Sequence, residues 1–86
     1  WHVLAVDGHD RAAVAAALRA AQAETARPTL IRCRTHIGYG SPHKQDSPAA
    51  HGAPLGVEEV ALTKQALGWM ATEPFFIPDE VRAYFA

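Results

Sequence analysis

The sequence predicts an α/β fold: a βαβ unit from a doubly wound parallel sheet, followed by a long loop and C-terminal helices. Two short apolar segments lie on either side of about sixteen residues with helical periodicity. The 21 residues from 36 to 56 include four glycines and three prolines and show no helical or strand period. Apolar residues recur at helical spacing after that segment. A strand, a helix and a strand in this order are typical of parallel sheets.

The first strand and the helix after it have clear local signals. The apolar run 2–6 predicts a buried strand that ends in an Asp-Gly turn. Asp10 is a favourable N-cap for the following helix. From Arg11 to about Ala26 apolar residues recur at three- and four-residue steps, which predicts one apolar helix face. Pro28 prevents the helix from continuing.

The second strand is predicted over residues 29–35, parallel to the first and reached by a right-handed crossover. Cys33 lies inside this apolar strand, where a thiol is expected to be an inert core residue. In open α/β sheets, ligands bind beyond the carboxyl ends of the strands. The turn 7–10 and the long loop both leave the sheet at that edge, so functional groups are expected there.

The loop is predicted to be a shaped, functional one. Compact domains rarely have a structureless connection this long unless it binds something or is a linker. Ile37, Tyr39 and Leu55 are apolar groups that a flexible spacer does not need. Beyond it, a helix is predicted from 57 to 67 and a short final helix after Pro78.

Two strands are too few to cover the apolar side chains of this chain. The sequence also opens on Trp1 directly before a strand. We therefore expect the chain to be an incomplete domain, one layer of a larger doubly wound domain, within a longer polypeptide.

Composition limits the partners. The net charge is −1, with 8 basic and 9 acidic residues, so no electrostatic case exists for nucleic acid or an anionic membrane. No apolar run approaches the roughly 20 residues that span a bilayer. The single cysteine excludes an internal disulfide framework and suits a reducing cytosol.

The candidate chemistry centres on the histidines. His36, His43 and His51 do not have a usual zinc-ligand spacing. The Gly-x-Gly at 38–40 is a weak signal for an anion cradle. His51 lies between small and stiff residues, so it is either a positioned proton carrier or a ring that braces the loop by a hydrogen bond. Residue chemistry alone leaves both readings open.

Three runs carry a resemblance to a known family: THIGYGSP at 35–42, HGAPLG at 51–56 and LGW at 67–69. Together with VDGHD at 6–10 they strongly resemble transketolase, in the family's order and over essentially the whole chain. The resemblance implies that residues 1–86 are the C-terminal part of the N-terminal (pyrophosphate) thiamine-diphosphate-binding domain. It also implies that metal and diphosphate ligands lie upstream, so no metal ligand is expected in this chain.

The resemblance further implies a function and two site residues. Transketolases transfer a two-carbon ketol unit from a ketose phosphate to an aldose phosphate in the pentose phosphate pathway, using thiamine diphosphate and Mg²⁺ or Ca²⁺. His51 is implied to contact the cofactor and substrate and to assist proton transfer, and Ile37 to line the cofactor pocket. A cytoplasmic homodimer is implied for the complete protein, and the isolated fragment is expected to be inactive.

The sequence leaves two alternatives open. One is a dihydroxyacetone synthase-type relative, which shares these motifs but accepts formaldehyde. The other is a non-catalytic transketolase-like interaction fragment. Residues 42–50 correspond to a variable stretch of the family, so His43 and Lys44 are assigned no role.

Overall fold

A computed structural model describes all 86 residues, in two compact units that comprise residues 1–36 and 37–86. The first contains β1, α1 and β2, and the second contains three helices connected by loops. Their bounds are β1 His2–Asp7, α1 Arg11–Ala23, β2 Thr29–Arg34, α2 Ala49–Gly52, α3 Val57–Ala66 and α4 Asp79–Phe85.

The two strands form a parallel sheet, as predicted. Their register runs from His2 opposite Thr29 to Asp7 opposite Arg34. A backbone hydrogen bond of 3.0 Å from His2 N–H to the Pro28 carbonyl begins the pairing. This small α/β arrangement is compatible with a piece of a thiamine-diphosphate-binding domain.

Helix α1 begins where it was predicted and ends three residues early. The Asp10 carboxylate accepts the Ala13 N–H at 3.0 Å, which confirms the N-cap. Glu24 leaves the helix in an extended conformation (φ −82°, ψ 109°). Its carboxylate then accepts the Ala26 N–H at 3.0 Å, so this local bond forms a turn where the helix was expected to continue.

The predicted burial of the first strand is wrong. Both strands expose every second residue at their start, with Val3 58% and Leu30 52% exposed, because α1 can cover only one sheet face. Cys33 is also exposed, so the interpretation as a core thiol is wrong. The expectation that apolar side chains lack burial partners is confirmed: Ala17, 6% exposed, is the only buried apolar residue.

Helix α3 ends one residue earlier than predicted, and Gly68 terminates it as expected. Gly68 has φ +71° and its N–H bonds to the Gln65 carbonyl at 3.1 Å. The Trp69 N–H bonds to the Lys64 carbonyl at 2.8 Å, which completes a Schellman motif. Helix α4 follows Pro78, as predicted. None of the helices has the length and apolar character that crossing a bilayer requires.

Candidate functional site

The carboxyl edge of the sheet is closed by hydrogen bonds from the first turn to the second strand. The Gly8 N–H donates to the Arg34 carbonyl at 2.7 Å, and the His36 N–H donates to Nε2 of His9 at 2.8 Å. The two imidazole rings stack with centroids 5.8 Å apart. A methyl group on Gly8 would lie 2.5 Å from Cγ2 of Thr35 and 3.1 Å from the Arg34 carbonyl oxygen, so this close approach favours glycine. The turn and the start of the loop therefore meet at the predicted edge.

An open groove of about 660 Å³ lies beside this edge in the first unit. Asp7, Cys33 and His36 contribute to its lining. The Cys33 thiol is free and exposed.

The long loop of the second unit is organised around the carboxylate of Glu59, in the first turn of α3. Oε1 accepts the Ser41 hydroxyl at 2.5 Å and the His43 backbone N–H at 2.9 Å. Oε2 lies 2.9 Å from Nδ1 of His43. Ser41 is 2% exposed and Glu59 8% exposed. Both oxygens of a buried carboxylate are thus satisfied by the loop.

These hydrogen bonds determine the protonation behaviour of Glu59. The Ser41 hydroxyl, then the backbone and ring donors of His43, lower the pKa of Glu59 from 4.5 to about 2, although burial opposes the shift. Since the pKa in the folded chain is the lower one, the contribution of the carboxylate to stability is complete above pH 4.5. It is lost as the pH falls through about 2.

We expect Glu59→Gln to be less stable than the unaltered protein at neutral pH, because the amide lacks the negative charge and the second acceptor oxygen, which faces Nδ1 of His43. The difference in unfolding free energy should shrink as the pH falls below 4.5. Denaturant unfolding of the full-length protein at a series of pH values from 7 to 3 measures it. The exposed neighbour Glu58 supplies the control, since Glu58→Gln should show no such convergence. A gap that stays constant or widens toward pH 3 would contradict the assignment.

The rest of the loop is held by hydrogen bonds between residues of the loop itself. The Asp46 N–H donates to the Ile37 carbonyl at 2.9 Å, and the Gly40 N–H donates to Oε1 of Gln45 at 2.9 Å. The Lys44 ammonium reaches the Leu55 carbonyl at 2.7 Å. The prediction of a shaped loop is therefore confirmed.

His51 lies on α2, a single helical turn that periodicity did not predict. Ala49–Gly52 is too short for an apolar face to repeat, so the sequence contains no signal for it. The His51 backbone N–H donates to the Pro48 carbonyl at 3.0 Å. Its ring is exposed and makes no hydrogen bond within the chain. The loop-bracing reading of His51 is therefore wrong, and the imidazole is accessible to a ligand.

Ile37 and His51, the two residues implied as cofactor contacts, are each next in sequence to one of two residues that lie close together, Gly38 and Ala50. A methyl group on Gly38 would lie 2.9 Å from Cβ of Ala50, and Gly38 has φ +63°. Gly38 follows Ile37 and Ala50 precedes His51, so the fold brings the two segments together. Ile37 is 43% exposed. No group of three His, Cys, Asp or Glu side chains is arranged to hold a metal ion.

Comparison with known proteins identifies the family. A family profile described as "Transketolase, thiamine diphosphate binding domain" matches residues 1–86. The chain belongs to this family. It is 57% identical over 84 residues to transketolase 2 of Vibrio parahaemolyticus, which is 96% of this chain and 12% of that protein. It is 57% identical over 82 residues to the chromosomal transketolase of Cupriavidus necator, which is 94% of this chain and 12% of that protein.

Escherichia coli transketolase 1 is 49% identical over 84 residues, or 96% of this chain and 12% of that protein. The chain thus spans about an eighth of the length of these relatives. The predicted family resemblance is confirmed over the whole chain.

The second unit has features that suit thiamine diphosphate. His51 offers an exposed ring without an internal partner, and an imidazole N–H can donate to a phosphate oxygen. Gly38 lets the loop backbone come close to α2. Sequence reasoning missed the loop cluster of Ser41, His43 and Glu59, because 16 or more residues separate the carboxylate from its donors.

Proposed function

We propose that this chain is the C-terminal part of the N-terminal pyrophosphate domain of a transketolase. The complete protein transfers a two-carbon ketol unit from a ketose phosphate to an aldose phosphate with thiamine diphosphate, as in the pentose phosphate pathway. The observation that carries the proposal is the contact of Gly38 with Ala50, which places the Ile37 and His51 segments side by side. Membership of the family supports it.

Each proposed site residue has a defined role. Thiamine diphosphate, when bound, supplies the carbon nucleophile and electron sink that ketol transfer requires. The His51 ring donates an N–H to a diphosphate oxygen and moves a proton at a ring nitrogen to and from the donor sugar. Ile37, half-exposed at the start of the loop, contributes apolar surface to the cofactor pocket. A positioned proton carrier of this kind accelerates a reaction by about 10²–10⁴.

In the complete protein, groups outside this chain complete the domain and hold the metal ion. Further strands and helices of the domain complete a doubly wound sheet and cover the exposed sheet face. Mg²⁺ or Ca²⁺ is held by ligands outside residues 1–86. The complete protein is a cytoplasmic homodimer that acts on sugar phosphates and binds neither nucleic acid nor membranes. The isolated chain is inactive.

The test is an assay of the full-length protein with a ketose phosphate donor and either a pentose phosphate or formaldehyde as acceptor. We expect ketol transfer to the pentose phosphate that requires added thiamine diphosphate, and an apoprotein control without it should be inactive. A preference for formaldehyde would assign the protein to the dihydroxyacetone synthase type. Absence of transfer to both acceptors with the cofactor present would support the non-catalytic interaction fragment.

A further inference from the structure

Glu59 is more deeply buried than any other titratable side chain of the chain, and no step of the proposed reaction uses it. It lies in α3, outside the loop that carries Ile37 and His51. Carboxylates are rarely buried unless their oxygens accept hydrogen bonds. All of the paired donors of this carboxylate come from Ser41 and His43, so Glu59 connects the loop to the helix.

A continuous series of hydrogen bonds leads from this carboxylate to α2. The Ser41 hydroxyl that donates to Glu59 also accepts the Lys44 N–H at 3.2 Å. The Lys44 carbonyl accepts the Ser47 N–H at 3.2 Å and its hydroxyl at 2.7 Å. The Ser47 carbonyl accepts the Ala50 N–H at 3.2 Å. Each step joins neighbouring turns of the loop, and the last lies next to His51.

Lys44 also binds the chain on the other side of α2. Its ammonium donates to the carbonyl of Leu55, which follows α2 in the chain, at 2.7 Å. The single turn Ala49–Gly52 is therefore held on both sides, although a helix this short is not stable by itself. These bonds hold the backbone that carries His51, while the His51 ring makes no hydrogen bond within the chain.

We propose that Glu59 is a positioning residue for His51, which it orients through Ser41, Lys44 and the turn before α2. The predicted effect of Glu59 on turnover rests on the proposed function. The connecting groups are Ser41 and Lys44. Lys44 lies in the stretch 42–50, to which the sequence analysis assigned no role, and Ser41 lies directly before it. Misplacing a catalytic group by about 1 Å can cost about 10²-fold in rate, so loss of the anchor should be visible in turnover.

The first test measures hydrogen exchange by mass spectrometry in the full-length apoprotein. Glu59→Ala should accelerate exchange of the amides in residues 47–55 at least tenfold. Glu59→Gln should stay near the unaltered rate, because its amide oxygen can still accept from Ser41 and His43. Glu58→Ala, an exposed neighbour in the same turn, is the matched control and should have no effect. If Glu59→Ala does not fold, Ser41→Ala removes the same link and should show the same acceleration.

The second test measures kcat with saturating thiamine diphosphate. Glu59→Ala should lower kcat about tenfold or more, and Glu59→Gln should restore it to within about threefold. In a His51→Ala background, Glu59→Ala should cause no further loss, because both changes remove the same function. Additive losses, or a lowered melting temperature with unchanged exchange and kcat, would overturn the positioning role. If the unaltered protein catalysed no ketol transfer, the proposed function would be overturned instead. The hydrogen-exchange result would still test whether Glu59 holds residues 47–55.

Discussion

Replacing His51 by alanine in the full-length protein is expected to lower kcat by about 10²–10⁴, the usual contribution of a positioned proton carrier. The exposed ring has no hydrogen bond within the chain, so its removal should leave the melting temperature close to that of the unaltered protein. Thiamine diphosphate affinity should also fall, because the ring N–H is proposed to contact the diphosphate. Steady-state kinetics with saturating cofactor and a titration of the apoprotein with thiamine diphosphate measure the two effects.

His43→Ala is the matched control for His51→Ala. Both changes remove an imidazole from the same loop, and the His43 side chain is 71% exposed. The backbone N–H of His43 still reaches Glu59 in this variant, so the loop keeps part of its anchor. We expect a smaller loss of turnover than for His51→Ala. Equal and near-normal rates for both variants would remove His51 from the mechanism.

Replacing Gly38 by alanine is expected to destabilise the loop and to displace α2. A side chain at φ +63° costs about 1–2 kcal/mol. The added methyl group would also lie 2.9 Å from Cβ of Ala50, so the backbone of one segment has to shift. Because His51 follows Ala50, we expect kcat to fall about tenfold or more together with the melting temperature. Thermal unfolding and kinetics of the full-length variant measure both.

Gly52→Ala is the control for Gly38→Ala. Gly52 lies at the end of α2, and a methyl group there would meet no atom within 4 Å. Alanine is favoured over glycine in a helix by up to about 1 kcal/mol, so this variant should be as stable as the unaltered protein or slightly more stable. If both glycine variants behaved alike, the contact of Gly38 with Ala50 would not be what positions the loop.

Most of the secondary structure follows from short-range patterns. The strand before Asp7, the Asp10 cap and the Gly68 terminus were predicted because each depends on residues a few positions apart. The end of α1 was placed too late because the Glu24 side chain bonds to the backbone two residues on. The motifs at 6–10, 35–42, 51–56 and 67–69 together gave the resemblance to the family that the whole chain matches.

The amino-acid pattern alone was therefore enough for the order of the elements other than α2 and for the shaped loop, and the family resemblance supplied His51 and Ile37 as candidates. It was not enough for the loop cluster of Ser41, His43 and Glu59, nor for the accessible position of His51 on α2. Glu59 looked like an acidic residue favoured by the start of a helix, yet its oxygens pair with groups 16 and 18 residues away. Such pairings depend on the path of the whole loop in space, and periodicity and capping report only on neighbours along the chain.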